Sequence, residues 1–208
     1  MQIKNVKVYG LEESIIASGY CMKTGEPIDL EDIFNSAMSK LNNYLYAGID
    51  DSKDAIRAKK LAKTPIGSGH NNFLKGIIVQ FDLQYPEYFS PQLQRYHWVD
   101  IVSSQSKMHK ITGRLLRKED FTGHTCETFI SVINDLIEMY KENPSEDLFC
   151  EIISNLPSGY LKWMRISTNY LQLKTIYNQR KNHKLNEWKE FCEWIKTLPM
   201  AAELIYGD

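Results

Sequence analysis

The sequence predicts an α+β protein, on three observations. Residues Ile77, Val79, Phe81 and Leu83 alternate with Ile78, Gln80, Asp82 and Gln84, the period of a half-buried strand, with the β-branched content that suits one. Residues 128–142 place Phe129, Val132, Ile133, Leu136, Ile137 and Tyr140 at helical spacing, so that stretch is an amphipathic helix. Helical segments outnumber the strands and do not alternate with them as a doubly wound fold requires.

Taken in order, residues 6–9 open with a strand. Residues 15–22 form a second apolar segment, read as a strand or a strand entering a turn. Asp29, Leu30, Glu31 and Asp32 put acids at a helix start, and Ile33, Phe34, Ala37, Met38, Leu41 and Leu45 follow at helical spacing, with Gly48 to stop the helix. Residues 52–63, rich in Lys, Arg and Ala, make a further helix that Pro65 ends. The loop at 66–72 leads into the strand at 77–84. Pro86 then starts a helix carrying Gln92 and Arg95. After the helix at 128–142 comes a shorter one at 146–155, closed by Leu156 and Pro157. Residues 159–168 read as a strand, 171–180 as a helix, and 186–196 as a helix in which Trp188, Phe191, Cys192 and Ile195 share a face. No internal repeat, low-complexity tract or linker interrupts the chain, so residues 1–208 read as one domain of ordinary size or two small lobes.

The formal net charge of −1 supplies no global field for nucleic acid or an anionic membrane. The four cysteines, Cys21, Cys126, Cys150 and Cys192, form no CxxC pair, so neither a zinc site nor a disulfide framework is expected. Free thiols and an N-terminus without an apolar core segment point to the cytoplasm. No run approaches the ~20 apolar residues that span a bilayer.

Walker A, GxGxxG, HExxH and GxSxG motifs are all missing. What remains is a dense polar stretch: Gln92, Arg95, His97, Ser103, Ser104, Gln105, Ser106, Lys107 and His109. On a helix Gln92 and Arg95 share a face with Trp98 beside them, and an Arg fork next to an amide suits a phosphate or a pyrimidine edge. Ser103 to Lys107 offers hydroxyls, backbone N–H groups and one counter-charge for a phosphate. The plain alternative is a surface helix followed by a polar loop. His70, after Gly69, is either a turn residue or a reactive one. Asn169 and Arg180, about three helical turns apart, are placed to serve a site from both ends of one helix, or to line a solvated face. Trp163, Trp188 and Trp194 are expected in the core or an interface.

At these residues the chain resembles the flavin-dependent thymidylate synthases (ThyX), from about residue 15 to 188. In that family a Gly-His pair opens a strand, and a proline and helix follow, carrying a Gln three residues before the signature RHRxxSxNExSxRY. Here Gly69, His70, Pro86, Gln92 and Arg95 fall in that order, and the signature region reads RYHWVDIVSSQSKMHK. The family's LP, aromatic strand and NxRSLxxFLxLR are matched by Leu156-Pro157, YLKWMRIST and NYLQLKTIYNQR, with Asn169 and Arg180 in place and Trp188 following. Tyr96 takes a His position, Leu171 an Arg position, Ser103 the Glu position and Lys107 an Arg position when no gap is allowed; with one inserted residue Ser106 takes the family Ser position and Met108 the Arg position.

The resemblance implies a ThyX-like α+β domain with a central, mainly antiparallel sheet flanked by helices, assembled as a homotetramer. It implies FAD as cofactor, dUMP or a related pyrimidine nucleotide as substrate, and methylenetetrahydrofolate and NADPH as co-substrates. It also implies roles. His70 lines the reaction cavity. Gln92, Ser103, Ser104, Gln105, Ser106, Lys107 and Arg180 hold the nucleotide. Arg95, His97 and Asn169 hold the flavin. The departures leave a second reading, a non-catalytic protein that sequesters or senses a nucleotide on the same scaffold.

Overall fold

The structure is a computed structural model, and it describes residues 1–25 and 52–207. The helix expected over residues 29–45 lies outside them. Mixed helix and sheet surround a four-stranded antiparallel sheet of order β1-β2-β4-β3, built from β1 (Gln2–Tyr9), β2 (Ile78–Pro86), β3 (Asp100–Ser104) and β4 (Leu161–Asn169). The described helices are α1 (Leu11–Ala17), α2 (Lys53–Ala62), α3 (Ser90–Leu93), α4 (Lys107–Lys110), α5 (Glu127–Glu142), α6 (Glu146–Asn155), α7 (Tyr170–Arg180) and α8 (Asn186–Ile195). The α+β expectation therefore holds.

The period-two pattern of β2 carries directly into burial. Ile77, Val79, Phe81, Leu83 and Tyr85 are buried, whereas Ile78, Gln80, Asp82 and Gln84 stay partly open. Strand β3 is exposed throughout, as an edge strand of mixed polarity is. The stretch containing Ser103 and Ser104, expected to offer free backbone N–H groups, pairs as strand instead, because its backbone finds β4. Gln105 N–H donates to Trp163 O at 2.9 Å, and Trp163 N–H donates to Gln105 Oε1 at 3.0 Å.

By compactness the chain divides into two units. The first comprises residues 1–4, 82–97 and 101–166. Its core is Ile111, Leu116, Phe121, Ile130, Ile133, Ile137, Ile152 and Leu156, with Leu136 and Tyr140 packed against it. The Asn134 carboxamide closes this core by accepting from Leu116 N–H at 2.7 Å and donating to Leu116 O at 2.9 Å. The apolar face of α5 is turned by one residue from the expected one. Ile130 is buried and Phe129 and Val132 face outward, because α6 packs against the Ile130–Ile133–Ile137 stripe.

The second unit comprises the described parts of residues 5–81, with 98–100 and 167–208. Here the Phe81, Phe191 and Trp194 rings cluster, with Trp188 packed edge-on to Phe191 at 5.9 Å. The segment at 15–22 corrects the sequence reading. It contains the end of helix α1 and a 3-10 turn at Tyr20–Met22, not a strand. Gly10, at φ 68°, swings the chain out of β1, and Glu12 and Glu13 sit in the first turn, where the helix dipole favours acids. Arg57 donates to the C-terminal carbonyls of Ile15 and Ile16 at 3.5 and 3.4 Å. Lys174, buried on α7, does the same for α2 by donating to Ala62 O at 2.7 Å. Burial and the nearby Lys63 charge hold its ammonium below the usual lysine range. Beyond α8 a π-helical turn, Ala202–Tyr206, buries Leu204 and Ile205, and Tyr170 Oη donates to Pro199 O at 2.6 Å. The sequence reading had assigned nothing to this segment. No described helix is long and apolar enough to cross a membrane.

Candidate functional site

In the second unit the chain builds a small rigid frame at the start of α7. Asn169 ends β4 and is the N-cap of α7, its Oδ1 accepting from Gln172 N–H at 2.9 Å. Gln172 in turn accepts from Trp98 N–H through Oε1 at 3.2 Å, and Thr168 Oγ1 donates to Trp98 O at 2.6 Å. Thr168, Asn169 and Gln172 are all buried. Two side chains, Thr168 and Gln172, therefore fix the backbone at Trp98 from both sides, and Trp98 lies three residues after Arg95 in sequence. The cap leaves the amide Nδ2 of Asn169 as its donor end.

Gln172 was missed as a contributor. Its signal was present as the Asn-x-x-Gln spacing of a helix start, but that Gln172 reaches a residue 74 positions away is a tertiary fact. At the other end of α7, eleven residues on and roughly 16 Å along the axis, the half-buried Arg180 lays its guanidinium over the Trp188 ring at 4.7 Å. His183 follows, held by Leu185 N–H donating to its Nδ1 at 3.1 Å. Burial, and then the Arg180 charge, keep the imidazole below its ordinary value. Asn169 and Arg180 thus bracket one helix rather than touching. His70 is exposed in the turn after Gly69, whose φ of 83° needs a residue without a side chain. Next to it, the fully buried Asn71 donates to Thr64 O at 2.9 Å and ties that turn to the end of α2.

The first unit holds the other expected residues. Gln92 lies in α3, but that helix is only Ser90–Leu93, so Arg95 falls in the turn beyond it. The shared helical face expected for Gln92 and Arg95 is not formed. Tyr96 N–H donates to Leu93 O at 3.1 Å and the Tyr96 ring is buried, which bends the chain out of the helix early. Arg95 and His97 are exposed on this turn, as are Ser103, Ser104 and Ser106 on and after β3.

Lys107 is not an isolated counter-charge. Its Nζ lies 3.2 Å from Glu87 Oε2, and Lys162 Nζ lies 2.9 Å from Glu87 Oε1. Burial pushes the Glu87 carboxyl upward, but the hydrogen bonds from Lys162 and Lys107 outweigh it and hold the group below the usual glutamate range. One carboxylate between two ammonium groups leaves the cluster one positive charge in excess, which suits an anion.

That shift makes a pH prediction. The folded chain binds fewer protons at Glu87 than the unfolded chain does, so stability rises with pH across the interval between the two values. The Glu87 contribution is complete above the ordinary glutamate value of about 4.3 and is lost as pH falls through the lower folded value. Thermal melts of the parent and Glu87→Gln over about pH 3 to 6 should show a flatter acid limb for the variant. Parallel limbs would contradict the assignment.

No protein-family model matches the chain, and no curated protein matches it in sequence. Solved structures do match. The flavin-dependent thymidylate synthase ThyX of Helicobacter pylori, complexed with FAD and dUMP, aligns with a TM-score of 0.65 at 14% identity over 100% of this chain and 99% of that one. This is a ThyX-like fold. A second crystal structure of Thymidylate Synthase X from Helicobacter pylori, with FAD and dUMP, gives 0.61 at 14% identity over 87% and 94% of the two chains. The UMP/dUMP methylase PolB of Streptomyces cacaoi, bound with 5-Br dUMP, gives 0.61 at 12% identity over 98% and 93%. The alignments cover 87–100% of this chain and 93–99% of the others. At this identity it is the fold that is shared, and chemistry has to be argued from the side chains.

Proposed function

We propose that this ThyX-like chain is a single-domain cytoplasmic homotetramer that binds FAD and a pyrimidine nucleoside monophosphate such as dUMP. It methylates the base reductively, with methylenetetrahydrofolate as carbon donor and NADPH as reductant. The observation that carries the proposal is the full-length fold match to a structure containing FAD and dUMP, with Asn169 and Arg180 standing at the two ends of α7.

When bound, the flavin supplies the redox chemistry, and the chain's side chains bind, orient and polarise. Asn169 Nδ2, Arg95 and His97 donate to the flavin nucleotide. Gln92, the Ser103–Ser104–Gln105–Ser106 stretch, Lys107 and Arg180 hold the pyrimidine nucleotide, and His70 lines the reaction cavity. Trp188 backs the Arg180 guanidinium and keeps its plane fixed, so less rotamer freedom is lost on binding.

A second reading has its own support. Lys107 shares Glu87 with Lys162, Gln105 spends its side-chain oxygen on Trp163, and Ser103 stands where the family carries an acid. A nucleotide binder that no longer turns over fits those facts.

Purified chain is expected to take up FAD, seen in its visible absorbance, and to release tritium from 5-labelled dUMP when given methylenetetrahydrofolate and NADPH. Nucleotide binding with no flavin uptake selects the second reading. Arg180→Ala should weaken dUMP binding by about 10- to 100-fold, the loss of a charged hydrogen bond, read by calorimetric titration. Equal affinities would remove Arg180 from the site.

A further inference from the structure

Trp98 stands apart from the chain's other tryptophans. The residue is 50% exposed, whereas Trp188 is fully buried, Trp163 is partly buried and Trp194 packs on Phe81 and Phe191. A large exposed aromatic is informative because burying its ring is worth more than for any other side chain. Trp98 also does not sit on a loose loop. Its N–H donates to Gln172 Oε1 at 3.2 Å and its carbonyl accepts from Thr168 Oγ1 at 2.6 Å, and those two side chains are only 6% and 4% exposed. The Asn169 cap accepts from the Gln172 backbone N–H. Two buried polar side chains, Thr168 and Gln172, thus hold the backbone that carries a half-exposed indole.

We propose that the Trp98 indole is the stacking platform for a planar heteroaromatic ring. This rests on the nucleotide- and flavin-binding reading above and adds to it Trp98, a residue of the signature region to which the resemblance assigns no role. The indole face is electron-rich, and an isoalloxazine or a pyrimidine ring is electron-poor, so offset stacking is favoured. With its backbone held and only two side-chain torsions, the ring loses little freedom when a ligand arrives. Its place in the fold agrees. Trp98 shares its hydrogen-bond frame with Asn169, the residue expected to donate to the flavin nucleotide, and follows His97 directly in sequence. Two rings have this chemistry, the flavin and the base, and the test separates them.

Riboflavin, FAD and dUMP are titrated separately into the full chain and into Trp98→Phe and Trp98→Ala, following flavin fluorescence for the first two and calorimetry for the third. Melting points of the three proteins are compared first, and close agreement is expected because the ring is exposed. Trp98→Ala should weaken one ligand by about tenfold or more, the usual loss when a stacking aromatic is removed from a base, and Trp98→Phe should recover most of it. A parallel loss for riboflavin and FAD, with quenching of bound flavin diminished, assigns the isoalloxazine. A loss confined to dUMP assigns the pyrimidine. Unchanged affinity for all three ligands in Trp98→Ala, or equal loss in the Phe and Ala variants, overturns the stacking role while leaving the function proposal standing. A parent chain that binds none of them overturns both.

Discussion

Trp188→Ala lowers the stability of the chain by about 3–5 kcal/mol, the cost of removing a fully buried large aromatic and leaving a cavity. The ring has no exposed surface, packs edge-on to Phe191 at 85°, and carries the Arg180 guanidinium at 4.7 Å. Against a typical domain stability of about 5–15 kcal/mol, that is about a fifth of the total or more. The midpoint of urea unfolding should fall accordingly, with the slope unchanged. Trp188→Phe keeps a ring for Phe191 and a face for Arg180, and should lose less than the alanine variant. Where the alanine protein still folds, its dUMP affinity should also drop, since Arg180 loses the surface that fixes its plane. A drop in stability below about 1 kcal/mol would mean that the site tolerates collapse and that Trp188 is not the centre of this core.

Asn169→Ala is the second large effect, at about 1–2 kcal/mol for an N-cap lost. Gln172 N–H then loses its acceptor in a buried setting, at the residue whose side chain accepts from Trp98 N–H. Asn169→Asp separates the two roles of this residue. Aspartate caps a helix as well as asparagine and carries a charge that the helix N-terminus favours, so stability should be retained. Flavin binding should not be, because the amide donor is gone and an anion has replaced it. Urea unfolding and FAD titration on the same two variants give the answer. An aspartate variant that binds FAD as tightly as the parent would reduce Asn169 to a cap alone.

The comparison of sequence and structure is most instructive at individual elements. Strand β2, helices α6 and α8 and the helix before Pro65 were legible because their burial follows local period, and period is a property of neighbours in the chain. The segment at 15–22 was not. Its apolar residues suit a strand, and the deciding features are the left-handed turn at Gly10 and the guanidinium that arrives from Arg57 to take its last carbonyls. The short α3 misled in the same way. Proline, Gln92 and Arg95 suggest a helix long enough to align the last two, but burial of Tyr96 ends it at Leu93.

For the site, sequence alone determined the candidate residues and the family they resemble, because residue types at fixed spacing survive in a linear string. It also determined that the chain is an α+β protein. Only the tertiary structure decided which of those residues are already committed. Lys107 is paired through Glu87, Gln105 is bound to Trp163, the oxygen of Asn169 is used as a cap, and Trp98 is held by Thr168 and Gln172. Each of these is a hydrogen bond or ion pair whose partner is chosen by packing. A polar group takes the partner that burial brings within reach, and no spacing along the chain encodes that.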